Sequence, residues 1–277
     1  MTIDGTRGLR GARSYAQVDS EFRTLLETGT VESRTHIEQM SLDMGQLLIS
    51  TFPSLAEQAD RVRRPSFLCR MRSAAEVLLE AFGNDAISLA SQSASDTVRG
   101  WGAFVVGHAP GLALPDRLKL IRPLAADAHF AVREWAWLSI RPTVATCTHD
   151  AIEQLYPWVM DAAKDIRRFA VEVTRPRGVW CCHIKLLKDE PWLGQKLLNA
   201  VAFDSSRYVQ NSVGNWLNDA SKSQPSWVES ICTSWERLDY PATAYVRRRA
   251  LRSITKTQLS GSYQANSQEV ESWIVDS

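Results

Sequence analysis

Residues 129–140 read HFAVREWAWLSI, and this stretch decides the fold because the chain repeats its pattern. The same polar start, apolar anchor at the fourth position and helix-like continuation recur in SDTVRGWGAFVV from Ser95, AKDIRRFAVEVT from Ala163, SRYVQNSVGNWL from Ser206 and TAYVRRRALRSI from Thr243. The anchors Val98, Val132, Ile166, Val209 and Val246 are separated by 34, 34, 43 and 37 residues, the size of a two-helix unit rather than of a strand blade. Within each unit the apolar residues recur at helical spacing, and strand-like alternation is scarce. Second amphipathic stretches, Asp116–Leu124, Ala151–Met160 and Ser226–Leu238, follow several of the anchored ones across turns marked by Ala109-Pro-Gly and Gln224-Pro. Helix pairs that bury their apolar faces only by stacking on their neighbours make a solenoid. The expectation is an all-α, right-handed solenoid of HEAT-like repeats with a concave groove.

Working outward, Ser20–Thr28, Arg34–Thr51 and Arg72–Phe82 read as amphipathic helices without the anchor, broken at Phe52-Pro53 and Arg64-Pro65. Terminal units of a solenoid are atypical because they cap the stack. The domain organisation that follows is a flexible start over 1–15, one repeat domain over 16–256 and a polar tail over 257–277, in which Val270, Trp273 and Ile274 suit a short final helix. With 277 residues, 44% hydrophobic and 23% charged, the chain can bury a core without metal or disulfide staples. Its apolar runs, such as Gly102–Val106, fall far short of the roughly 20 residues of a membrane span. The first fifteen residues lack an apolar signal core, so the expected compartment is the cytoplasm; a monomer is the expected state. The five cysteines, Cys69, Cys147, Cys181, Cys182 and Cys232, include a vicinal pair and form a poor disulfide framework. With His149 and His183 they offer no zinc spacing, and neither metal nor cofactor is expected.

The net charge of +1 argues against a polyanionic partner until its distribution is read. Lys164–Lys188 carries seven cations against two acids and Tyr240–Lys256 carries five against none, while Asp19–Asp85 holds eleven acids against seven arginines. A segregated basic stripe is the footprint of nucleic-acid binding, because neutralised phosphates release counterions. Arginine follows the anchor in four units, at Arg99, Arg133, Arg167 and Arg247. Two readings stand: inward guanidiniums tracking a phosphate backbone, or a ladder of Asp–Arg pairs tying each unit to the next.

The most unusual segment is Glu172-Val-Thr-Arg-Pro-Arg-Gly-Val-Trp180, a carboxylate near a helix end followed by two arginines and an aromatic. The next unit supplies Asn215-Trp-Leu-Asn-Asp219, again an acid and a tryptophan. Glu172 among Arg167, Arg168, Arg175 and Arg177 also suits an ordinary ion-pair partner. No Ser-His-Asp set or Gly-rich phosphate loop is recognisable, which disfavours nucleophilic and nucleotide hydrolysis.

Ile166-Arg-Arg-Phe-Ala-Val-Glu172, Arg175-Pro-Arg-Gly-Val-Trp180 and Tyr208-Val-Gln-Asn-Ser-Val-Gly-Asn-Trp-Leu-Asn-Asp-Ala-Ser-Lys222 resemble strings of the HEAT-like-repeat alkylpurine DNA glycosylases, the AlkC/AlkD superfamily, and the AlkC branch most closely. The resemblance spans about Phe22 to Lys256. It implies an enzyme that binds duplex DNA and excises cationic N3- or N7-alkylated purines without swinging the base into a protein pocket. It implies Glu172, Asp219 and Trp180 as catalytic residues, the acids stabilising the sugar cation and the tryptophan packing on the sugar. Arg133, Arg167, Arg175, Arg177, Arg247 and Arg248 would meet DNA, and Trp137 and Trp216 are further candidates for a wall beside the lesion. The AlkC branch uses another acid in the preceding repeat. Glu134 is the nearest here, but it lies two residues past its anchor where Glu172 lies six past, and the in-phase residue is Leu138. The competing function is a non-catalytic helical-repeat protein that binds damaged or branched DNA.

Overall fold

The computed structural model describes residues 11–256 except 65, 179, 238 and 239. The readings of the first ten residues, and of a tail or final helix over 257–277, lie outside the described residues. Among the described residues the regular structure is entirely helical. It divides into two compact units at Thr143 and Val144.

The first unit holds α1 (Ser20–Glu27), α2 (His36–Met40), α3 (Met44–Thr51), α4 (Ala59–Val62), α5 (Phe67–Phe82), α6 (Asp85–Ser91), α7 (Asp96–His108), α8 (Leu114–Ala125) and most of α9 (Phe130–Thr146). The second holds α10 (Thr148–Val159), α11 (Lys164–Val173), α12 (Lys185–Asp189), α13 (Gln195–Ala200), α14 (Arg207–Ser221), α15 (Pro225–Glu236) and α16 (Pro241–Ala250). The five anchored stretches are α7, α9, α11, α14 and α16, and their anchors are at most 2% exposed. Burying each such side chain contributes about 1.5–3 kcal/mol. The expected companions appear as α8, α10 and α15. The helix expected over Arg34–Thr51 is instead two, because the Asp43 carboxylate accepts from the amides of Gly45 and Gln46 and starts α3 afresh.

Four of the five anchored helices, α7, α9, α11 and α14, are entered through one device. Ser93, Asp127, Asp161 and Asp204, each five residues before its anchor, accept a hydrogen bond from the amide two residues on. This closes a short side-chain turn ahead of the helix. The residue after the anchor then donates back to the same turn. Arg99 Nη1 meets the carbonyls of Ser93 and Ala94, Arg133 Nη1 those of Asp127 and Ala128, and Arg167 Nη1 those of Asp161 and Ala162. Gln210 replaces arginine in the fourth unit and makes the same contact, Nε2 to Asp204 O at 2.7 Å. The rest of the guanidinium reaches the next unit: Arg99 grips Asp127 at 2.8 and 3.1 Å, and Arg167 grips Asp204 at 2.6 and 3.0 Å.

These contacts place Arg99 and Arg167 in the ladder, and the donors of Arg167 are turned to the turn carbonyls and Asp204 rather than free for a phosphate. Arg133 is engaged in the same turn device, and Arg247 pairs with Glu236 at 2.8 Å. The sequence signal was present as an aspartate five residues before the anchor in three units, but only the contacts give it a meaning.

In the second unit α11, α14 and α16 lie side by side, α10 and α13 pack on α11, and α15 packs on α14. Gly214 makes the α14–α16 approach possible: a Cβ there would stand 2.8 Å from the Arg249 Cβ. The long spacing of 43 residues comes from the segment 174–184 between α11 and α12, which carries the Arg-Pro-Arg-Gly-Val-Trp string. Of the nine tryptophans among the described residues six are buried.

Candidate functional site

Glu172 stands in the last turn of α11 and Asp219 in the last turns of α14, the neighbouring helix. A carboxylate near a helix C-terminus meets the negative end of the backbone dipole. Burial makes the cost greater, since Glu172 is 3% and Asp219 4% exposed. The compensation is Arg175. Its Nη1 donates to Glu172 Oε2 at 3.0 Å, while Nε and Nη2 donate to Asp219 Oδ2 at 2.9 and 2.7 Å. The Ser212 hydroxyl donates to Glu172 Oε1 at 2.6 Å, and Arg168 Nη2 stands 3.7 Å from that oxygen. Asp219 Oδ1 faces Lys222 Nζ at 3.5 Å.

Burial favours the neutral form of Glu172, but Arg168, Arg175 and the Ser212 bond outweigh it and hold the carboxyl below its ordinary range. The Arg175 guanidinium moves the opposite way: burial lowers its pKa, Glu172 and Asp219 raise it, and the net direction is up. The pair is therefore ionised at neutral pH.

The loop between α11 and α12 is pinned at both ends. Thr174 O accepts from Trp216 Nε1 at 3.0 Å, which fixes the residue preceding Arg175. Ile184 N donates to Pro176 O at 3.0 Å. Arg177 lies over the end of α14, with Nε to Asp219 O at 3.1 Å and Nη2 to Ser223 Oγ at 2.9 Å, where a cation complements the helix dipole. Trp180, on the same loop, is 46% exposed.

Next to the carboxylates is a basic, aromatic surface. Arg168 lies 4.3 Å from the Tyr208 ring, and Arg207 and Arg248 lie 3.6 and 5.5 Å from that of Tyr245. Tyr245 donates to Asn211 at 2.6 Å, and Asn215 Oδ1 accepts from Arg249 and Arg252 at 3.0 and 3.2 Å. The pKa of Arg252 is lowered by burial and then by the nearby Arg249 and Arg175, with Asp219 opposing. That crowding of like charge is what a polyanion relieves.

The structure thus brings Glu172, Asp219, Arg175 and Arg177 together and leaves Trp180 and Arg248 exposed. It corrects Trp216: at 1% exposure, with its N–H on Thr174, it is a core residue that holds the loop and presents no wall to a ligand. In the first unit Trp137 is buried and donates to Glu134 Oε2 at 2.8 Å on its own helix, while Leu138, the residue in phase with Glu172, is apolar and buried. Ser212, Lys222, Arg249 and Arg252 were missed. The last two lie in the acid-free run over Tyr240–Lys256, and the sequence signal for Ser212 is its register, three residues past the anchor, where the earlier units carry an aromatic.

No protein-family profile and no curated protein matches the chain. Solved structures do. The chain is similar to the Pseudomonas fluorescens alkylpurine DNA glycosylase AlkC bound to DNA containing an abasic site analog, with 22% identity and a TM-score of 0.63 over 89% of this chain and 66% of that one. It therefore spans just under two thirds of the length of that glycosylase. AlkD2 from Streptococcus mutans aligns at 21% identity and a TM-score of 0.56, over 73% of this chain and 98% of that one. The protein smu.31 from Streptococcus mutans UA159 aligns at 23% and 0.54, over 65% and 90%. The chain is all-α over its described residues, and its fold is similar to that of these solved structures.

Proposed function

We propose that the chain is a DNA glycosylase that hydrolyses the N-glycosidic bond of cationic alkylated purines in duplex DNA. The observation that carries this reading is the pair of buried carboxylates, Glu172 and Asp219, bridged by Arg175 on a face otherwise built of arginine, lysine and tyrosine. An alkylated purine already carries positive charge, so it leaves as a neutral base and needs no protein acid. The demand falls on the deoxyribose, where an oxocarbenium-like cation develops. Fixed negative charge beside it stabilises the transition state more than the ground state. Asp219 Oδ1, set 3.5 Å from Lys222, is the oxygen best placed to orient water, and Glu172 adds to the negative field. Trp180 offers an exposed ring to the sugar edge, a surface that attracts growing positive charge. Phosphates would be met by Arg248 and Lys222 with support from Arg252. Because the carboxylates act on the sugar, the base does not have to be swung into a protein pocket, unlike in glycosylases that flip it.

A second reading has its own observation: Arg175 occupies an oxygen of each carboxylate, as in a protein that keeps the basic face for binding and performs no chemistry. Release of 3-methyladenine or 7-methylguanine from methylated duplex DNA separates the two. Glycosylase activity predicts release by the wild type and a fall of about 100-fold or more in Asp219→Asn, with binding to abasic duplex retained. Tight binding without release by the wild type would establish the second reading.

A further inference from the structure

Three residues past the anchor, the earlier units place a large core aromatic: Trp101, Trp135 and Phe169, each at most 2% exposed. The fourth unit places Ser212 there, 1% exposed. A small polar residue at a core register gives up packing that the same fold uses in three other units. The space and the hydroxyl serve one partner, since Ser212 Oγ lies 2.6 Å from Glu172 Oε1 and its other contact is the Tyr208 carbonyl at 3.4 Å. Local departures of this kind concentrate where function overrides packing.

The contact orders the carboxylates in sequence. Ser212 holds Oε1 of Glu172 and Arg175 holds Oε2 at 3.0 Å, so the carboxylate cannot turn about its last bond. Arg175, fixed through Nη1, then presents Nε and Nη2 to Oδ2 of Asp219, which leaves Oδ1 toward Lys222. We propose that Ser212 is a positioning residue, whose hydroxyl sets the rotation of Glu172 and, through Arg175, the placement of Asp219. This rests on the glycosylase reading and adds to it a residue of α14 that touches no substrate.

The test is single-turnover release of 7-methylguanine from methylated duplex DNA by wild type, Ser212→Ala and Ser212→Thr, with the dissociation constant for abasic duplex and the melting temperature measured alongside. The expected result is a rate about 10–100-fold lower in Ser212→Ala, because sub-ångström misplacement of reacting groups costs on that order. Binding should change less than about 2-fold, and the threonine hydroxyl should restore most of the rate. If Ser212→Ala does not fold, Ser212→Cys, of similar size but a weaker donor, takes its place with the same expected fall in rate. Release by the wild type with an unchanged rate in the variant overturns this proposal alone. A Ser212→Thr variant as slow as Ser212→Ala also overturns it, since the hydroxyl is then not what matters. No release by the wild type overturns the glycosylase reading, and this proposal with it.

Discussion

Replacing Arg175 by methionine removes the one cation that bridges Glu172 and Asp219 while keeping most of the side-chain volume. Both carboxylates are almost fully buried, and the arginine makes three hydrogen bonds to them at 2.7–3.0 Å. Removing one partner of a buried ion pair costs about 3–5 kcal/mol, because a charge is left uncompensated. For a chain of this size that is a fall of roughly 6–20 °C in melting temperature. The pH dependence identifies the cause. In the wild type Glu172 has a lowered pKa, so its contribution is fully present above the ordinary value of 4.5 and is lost as pH falls through the folded value. Without Arg175 only Arg168 and the Ser212 bond oppose burial, and the expectation is that burial then carries the folded pKa above 4.5. The variant then gains stability as pH falls toward 4.5, over a range where the wild type changes little from this group. Urea denaturation followed by far-UV circular dichroism between pH 8 and 4.5 should show a gap that is widest at high pH and narrows on acidification. Adding Glu172→Gln to the variant should recover part of the loss at pH 7. A gap below about 1 kcal/mol at pH 7, or one independent of pH, would refute the idea that Arg175 sustains two buried charges.

The two tryptophans of the site strings should separate cleanly. Trp216→Ala is expected to cost about 3–5 kcal/mol in denaturant titration, as a fully buried ring whose N–H holds Thr174, whereas Trp180→Ala should cost less than about 1 kcal/mol and slow base release instead. Arg248→Ala should lower the slope of log affinity for duplex DNA against log salt by about one, and Arg167→Ala should leave that slope unchanged while lowering stability, since its charge is paired with Asp204. Gln210→Ala should destabilise by about 1 kcal/mol through the lost bond to the Asp204 carbonyl, and Gln210→Arg should be tolerated, because arginine makes that contact in the preceding units.

The helices of the repeats were legible because their signal is periodic. Anchors such as Val98 and Val246 stand at one register, and burial of that register is what the stacking of helix pairs requires. The break inside Arg34–Thr51 was not legible, since the Asp43 cap competes with an otherwise unbroken helical pattern. The arginines after the anchors were legible as a series but not as a role. A guanidinium beside a turn aspartate and one beside a phosphate look the same in a string, and only the distances to Asp127 and Asp204 decide between them.

By itself the sequence determined that the regular structure of the described residues is helical, that five helices share one buried anchor register, that the cations are segregated toward the second half, and that Glu172, Asp219 and Trp180 belong to unusual strings. These are properties of spacing and composition, and spacing along a helix maps directly onto its faces. Tertiary structure alone decided that Arg175 joins the two acids, that Trp216 is core while Trp180 is exposed, and that Ser212 holds a carboxylate 40 residues away in the chain. The physical reason is that burial and pairing depend on distances between helices of different repeats, and a one-dimensional pattern carries no such distances. The same glutamate is a solvated surface charge or a fixed anion in a dry interface according to what the next helix places against it.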